Sequence, residues 1–253
     1  MSIITYILPL LFVVLPAVAF AGTPAFVNRT DGGSVSAVST VSASAMNVTA
    51  GNLLVVFTSK QPDFTPPTLS DTAVNTWHQA STTFARELNV NNLSIFYAYN
   101  VTGNASDVVT ATLPSGTGAY FVIGVYQFSG FGSSDPYTDY QTSPLNPSSA
   151  SSGSTATITA SSNAVIVAGV EADNLGIAQG SGYTATVNSQ TGYFADEYAV
   201  VAGSQAATFN FTNAPYSIVG ASFDAPATPS TADIILTLLS GTVKLLSGKL
   251  IIL

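Results

Sequence analysis

Between Phe26 and Ala225 the apolar residues come in short runs and never settle into a sustained helical period. Runs rich in Val, Ile, Thr, Tyr and Phe alternate with clusters of Gly, Pro, Asn and Ser, the punctuation of strands and turns. The pattern predicts strands over residues 53–58, 93–100, 108–113, 120–128, 165–170, 183–187, 197–201, 207–211 and 216–223. Further short strands are predicted over 35–41, 76–80 and 155–160. The runs 120–126 and 164–168 offer no polar face, as expected of central strands covered on both sides. In 93–99 the alternation sets Leu93, Ile95, Tyr97 and Tyr99 on one face. About a dozen strands with regular turn signals predict an all-β fold, a two-sheet antiparallel β-sandwich of jelly-roll or lectin-like kind.

The landmarks of the first half recur in the second. Gly51-Asn52-Leu53-Leu54-Val55-Val56 is answered by Ser162-Asn163-Ala164-Val165-Ile166-Val167. Gly103 is answered by Gly203, and the Tyr-x-x-x-Gly of 120–124 by that of 216–220. Either the body, residues 22–225, is an internal duplication joined by the Ser- and Pro-rich stretch 142–155, or two ordinary β meanders share a rhythm.

Both ends differ from the body. Ile3 to Ala21 is an apolar run ending in Ala19-Phe20-Ala21, which predicts a signal peptide over 1–21 cleaved after Ala21. No Lys or Arg precedes it, and the alternative is an uncleaved membrane anchor. Residues 226–253 read as a Pro-containing linker and an amphipathic, hydrophobic tail. Apolar residues in the tail fall near helical spacing, with Lys244 and Lys249 among them. Thr231 to Leu253 is expected to lie on a membrane, to anchor in one, to contact a neighbouring subunit, or to pack on its own domain.

Composition narrows the function classes. Hydrophobic residues make up 47% of the chain and charged residues 7%, while 31 Ser and 30 Thr supply the polar surface. That balance suits a secreted or cell-surface β protein better than a cytosolic enzyme. The net charge is -8, and the five basic residues, Arg29, Lys60, Arg86, Lys244 and Lys249, are too scattered for a nucleic-acid surface. With no cysteine, stability must come from a hydrophobic core, and thiolate chemistry is excluded.

Leu69-Ser70-Asp71-Thr72-Ala73-Val74-Asn75-Thr76-Trp77, with the preceding strand 51–57 and the following Tyr97-Ala98-Tyr99-Asn100, carries a resemblance. It resembles the Ser-Asp-x-x-Gly-Asn-x-Trp motif of uncharacterised secreted and cell-surface β-sandwich domains of bacteria and archaea. The resemblance implies an extracellular β-sandwich and no particular activity. Val74 stands where the motif has Gly, which puts its tight turn in question.

Candidate chemistry is sparse. Glu171 and Asp173 leave one predicted strand, and Asp196 and Glu197 open another. Brought together, Glu171 and Glu197 would form the paired carboxylates of a glycan-active hydrolase, and Asp173 and Asp196 would contact glycan or Ca²⁺. The bland alternative is solvated acids at strand ends. His78, the sole histidine, reads as a half-buried packing residue, and one histidine cannot build a histidine metal cluster. Trp77, Tyr137, Tyr140, Tyr183 and Tyr193 lie near predicted turns, where exposed rings stack on sugars or cap the sandwich; Tyr137 and Tyr140 flank Asp139. Six Asn-x-Ser/Thr sequons, at Asn28, Asn47, Asn92, Asn100, Asn104 and Asn210, are glycosylation candidates. The expected role is structural, adhesive or glycan-binding, with a secreted glycan hydrolase as the alternative.

Overall fold

A computed structural model of the chain describes residues 22–61, 65–80, 84–86, 91–117, 119–144, 149–172, 176–187, 194–201, 203–226, 235–238 and 241–244. The expected signal segment, the linker from residue 227 and most of the tail lie outside the described residues. Among the described residues there are strands and no helix.

The first half contains β1 (Ala25–Ser34), β2 (Thr40–Ser42), β3 (Met46–Val48), β4 (Leu53–Gln61), β5 (Thr68–Asp71), β6 (His78–Gln79), β7 (Phe84–Arg86), β8 (Asn91–Ala98), β9 (Asn104–Asp107), β10 (Val109–Thr112) and β11 (Ala119–Ser129). The second half contains β12 (Tyr137–Thr142), β13 (Ala150–Ser154), β14 (Ala164–Ala172), β15 (Ala178–Gln179), β16 (Thr184–Val187), β17 (Phe194–Val201), β18 (Thr208–Ala214) and β19 (Tyr216–Asp224). In the tail, β20 (Ile235–Leu238) and β21 (Gly241–Lys244) pair as a hairpin.

Strand order repeats between the halves. The larger sheet of the first half runs β1-β11-β4-β8-β6, with β7 also on β8; that of the second runs β12-β19-β14-β17-β16. The smaller sheets run β2-β10-β5 and β13-β18-β15. Place for place the orders correspond, and the sequence landmarks fall on equivalent strands, β4 with β14 and β11 with β19, while Gly103 and Gly203 lie in the turns after β8 and β17. The two-sheet antiparallel sandwich read from the sequence is present, and it occurs twice.

The two sandwiches stack through their larger sheets, and the core has three layers. Leu53, Val55 and Phe57 of β4 and Tyr126 and Phe128 of β11 meet Val165 and Val167 of β14 and Val219 and Phe223 of β19 in the central layer. The opposite face of β4, Leu54 and Val56, packs on Val109 and Ala111 of the first small sheet. Likewise Ile166, Ala168 and Val170 of β14 pack on Phe209 and Phe211 of the second. A strand between two apolar layers has no solvent face, so β14 is apolar but for Glu171, and β4 is apolar from Leu53 to Phe57 before its polar end at Thr58-Ser59-Lys60-Gln61. Gly169 lets the layers close: a Cβ there would come within 2.0 Å of the Phe57 ring.

Polar strands escaped the sequence pattern. β1 carries Asn28-Arg29-Thr30-Asp31-Gly32-Gly33, yet pairs along its length with β11, because ladder bonds need only backbone groups. β13 lies within the Ser-rich stretch read as a connection, and pairs with β18. The strand expected over 155–160 is absent apart from one bridge, Ile158 to Gln205, and the one expected over 35–41 shrinks to β2. In the tail, 235–238 and 241–244 are extended rather than helical, in keeping with the β-branched Ile235, Thr237, Thr242 and Val243.

The turn after β5 explains the Asp-Thr-Ala-Val-Asn-Thr-Trp segment physically. Asp71 Oδ1 accepts the Asn75 backbone N–H at 2.9 Å. Its Oδ2 accepts Asn75 Nδ2 at 3.0 Å and Trp77 Nε1 at 3.1 Å. Asn75 Oδ1 in turn accepts the Thr102 N–H at 2.7 Å, tying the turn to the next loop. The tight turn forms despite the missing glycine, with Val74 at φ 59° and its side chain 87% exposed. A β-branched residue in the left-handed region is a strained choice.

Candidate functional site

The second large sheet separates the carboxylates that the sequence set side by side. Successive residues of a strand point to opposite faces. Asp196 points into the central layer, whereas Glu197 points into the second sandwich; both are buried. Glu171 pairs in register with Phe194, and so lies on the face of Asp196, away from Glu197. Glu171 and Glu197 therefore cannot flank one sugar as a catalytic pair. Asp173 lies outside the described residues.

Asp196 belongs to a clamp between the halves. Arg29 of β1 donates from Nε to Asp196 Oδ1 at 2.9 Å and from Nη2 to Oδ2 at 2.7 Å, a two-point grip. Arg29 Nη1 also reaches Asp31 at 3.1 Å, and the guanidinium lies over the Tyr126 ring, 5.3 Å from its centre. The Tyr126 hydroxyl donates to Asp196 Oδ1. Gly124 makes room, since a Cβ would meet Asp196 Oδ2 at 2.3 Å. Burial pushes the Asp196 carboxyl up, with Arg29 and Tyr126 pulling against it. Burial also opposes the Arg29 charge, but Asp196 outweighs it and holds the guanidinium above its ordinary range. We read an ionised pair, because arginine keeps its proton at any ordinary pH. With both oxygens engaged, Asp196 is no free ligand for glycan or Ca²⁺. Among the described residues no three His, Cys, Asp or Glu side chains gather to hold a metal.

Glu197 has a different environment. Its Oε2 accepts the Gly180 N–H at 3.2 Å, and among the described residues its Oε1 has no hydrogen-bond partner. Burial drives its pKa up to about 8, against the backbone N–H groups of Gly180 and Thr208. A carboxyl of this kind suits a general acid, but this one has no solvent access and faces the core of its own sandwich.

Aromatic side chains converge where the β8–β6 edge of the first sandwich meets the start of β12. The Tyr137 ring stacks on Tyr97 at 5.8 Å, Tyr97 on His78 at 5.2 Å, and His78 on Tyr99 at 5.4 Å, with planes within 26° of parallel. Asp135 ties the row together: Oδ2 accepts the Tyr97 hydroxyl at 3.1 Å and Oδ1 the Tyr137 N–H at 3.0 Å. Tyr97 is buried, His78 and Tyr99 half-buried, and Tyr137 38% exposed. Burial, then the charge of Asp135, raises the Tyr97 hydroxyl; burial, then Asp139, raises that of Tyr137. The row therefore holds the phenols of Tyr97 and Tyr137, both pushed toward the neutral form, and one half-open imidazole beside an exposed carboxylate.

The other candidates have structural roles. Tyr140 is half-buried against the central layer. Asp139 accepts the Thr159 N–H at 2.7 Å and the Tyr140 N–H at 2.8 Å. Burial works to raise its pKa, but these bonds and Gln141 outweigh it and hold the carboxyl below its ordinary value. Trp77 serves the Asp71 turn, Tyr183 is buried, and Tyr193 lies outside the described residues. Sequence reasoning missed Arg29, Tyr126, Tyr97, Tyr99 and Asp135. The shared face of Tyr97 and Tyr99 was the available signal; their meeting with Asp135 and Tyr137 was not encoded in any local pattern. No family model, curated protein or solved structure matches the chain.

Proposed function

We propose that the chain is a non-catalytic extracellular β-sandwich protein that acts at a cell or particle surface, binding glycan at the Tyr137–Tyr97–His78–Tyr99 row. The observation that carries this reading is the row itself: near-parallel rings that come to the surface at the exposed Tyr137 and the half-buried His78 and Tyr99, next to a carboxylate that accepts hydrogen bonds. Sugar C–H faces pack on aromatic rings, and hydroxyls donate to carboxylates. The export signal expected over 1–21, the scarcity of charge and the resemblance at Leu69–Trp77 support the extracellular setting. Attachment or assembly through Thr231 to Leu253 is part of the same proposal, supported by the apolar sequence of that segment. The hydrolase alternative has no observation in its favour, because its two carboxylates are buried on opposite faces of a sheet.

A glycan array tests it, with Tyr137→Ala beside the unaltered protein. Loss of one stacking ring is worth about 1 kcal/mol, a roughly five-fold weaker affinity. Retention of no glycan, or equal retention by the folded Tyr137→Ala variant, refutes the assignment.

A further inference from the structure

The six sequons are equivalent on paper, and the fold makes them unequal. Asn28 is committed at both ends of its amide: Nδ2 donates to Asn47 O at 2.9 Å, and Oδ1 accepts Gln127 Nε2 at 2.8 Å. Gln127 is buried and also accepts the Thr49 N–H at 2.7 Å, so this network holds β3 against β1 and β11. Asn104 is half-buried; Nδ2 donates to Thr72 at 3.2 Å and Oδ1 accepts the Ser106 N–H at 3.0 Å. Asn210 is exposed, but its Nδ2 donates across the small sheet to Gln179 O at 3.1 Å. The Asn92 side chain lies outside the described residues.

Asn47 and Asn100 are different. Both are exposed, and among the described residues neither side-chain amide has a hydrogen-bond partner. Asn47 points outward between the buried Met46 and Val48. Asn100 leaves β8 in the left-handed region, φ 49°, a conformation asparagine tolerates, which turns the chain at the surface. The third residue of each sequon, Thr49 and Thr102, is exposed too. The segments that carry them are also neighbours: just past the first sequon, Gly51 N–H donates to O of Val101 in the second at 2.9 Å, and Val101 N–H donates to Asn52 O at 3.2 Å.

We propose that Asn47 and Asn100 are paired N-glycosylation sites at one end of the first sandwich. In the transfer, Asn Nδ2 bonds to the anomeric carbon of a polyprenyl-phosphate-linked oligosaccharide. The carbon–oxygen bond to phosphate breaks, the phosphate leaves with the electron pair, and the amide gives up one proton. On a surface with few charges, two glycans would supply the hydration that charged side chains supply elsewhere. The assignment rests on the extracellular part of the proposed function, and not on the aromatic row.

The test expresses the full chain in a eukaryotic host with an added secretory leader. Microsomal and secreted protein are treated with peptide N-glycosidase F in ¹⁸O-water and mapped by mass spectrometry. Labelled aspartate is expected at positions 47 and 100 in folded protein, and the Asn47→Gln/Asn100→Gln variant should lose two glycans while keeping its β-sheet circular dichroism. Bare Asn47 and Asn100 in chain recovered from the secretory pathway overturn the assignment, as does equal labelling at Asn28 or Asn104 in folded protein. Because the leader is supplied, failure of the chain's own export leaves this result unaffected.

Discussion

Replacing Glu197 with Gln should remove most of the protein's sensitivity to pH between mild acid and mild alkali. Glu197 has no accessible surface, and among the described residues one carboxyl oxygen has no hydrogen-bond partner. Its pKa stands at about 8 in the fold against an ordinary 4.5. Between those values the folded chain keeps a proton that the unfolded chain has released. Stability contributed by the protonated group is complete below the unfolded value and is lost as pH rises through the folded one. At about 1.4 kcal/mol per pH unit, the loss between pH 5 and pH 9 comes to about 4 kcal/mol. That is a large share of a typical domain's 5–15 kcal/mol, roughly. Glutamine cannot ionise and keeps an acceptor for the Gly180 N–H. Urea unfolding of both proteins at pH 5 and pH 9, followed by Trp77 fluorescence, measures the difference. The unaltered chain should weaken by several kcal/mol relative to Glu197→Gln on going to pH 9. Parallel stability curves for the two proteins would show that Glu197 is solvated, and the burial argument would fail.

Two further substitutions probe the frame around the sites. Arg29→Ala leaves Asp196 buried beside Tyr126 without its cation, at an expected cost of about 3–5 kcal/mol; a loss under about 1 kcal/mol in urea unfolding would mean the pair is not the clamp described. Val74→Gly relieves the left-handed strain at φ 59° and should raise stability by about 1 kcal/mol despite glycine's freer unfolded state. A lower thermal midpoint for Val74→Gly would refute that account of the turn.

The sequence alone determined the class of fold. Runs such as Leu53-Leu54-Val55-Val56 and Val165-Ile166-Val167 can only be stable with both faces covered, so central strands and a layered β structure follow from local pattern. The recurrence of those runs matches the strand order that the two halves share, since equivalent strands need equivalent burial. Polar strands were out of reach, because Asn28 to Ser34 and Ala150–Ser154 are held by backbone pairing that leaves no hydrophobic signature. The site could not be read locally either. Adjacency in sequence means opposite faces in a strand, so Asp196 and Glu197 were bound to part, one into the seam and the other into a core. Conversely, Arg29 and Asp196, 167 residues apart, meet only because two sandwiches stack, and Tyr137 reaches Tyr97 for the same reason. Contacts between the halves depend on the docking of one sheet on another, and that geometry exists only in the assembled tertiary structure.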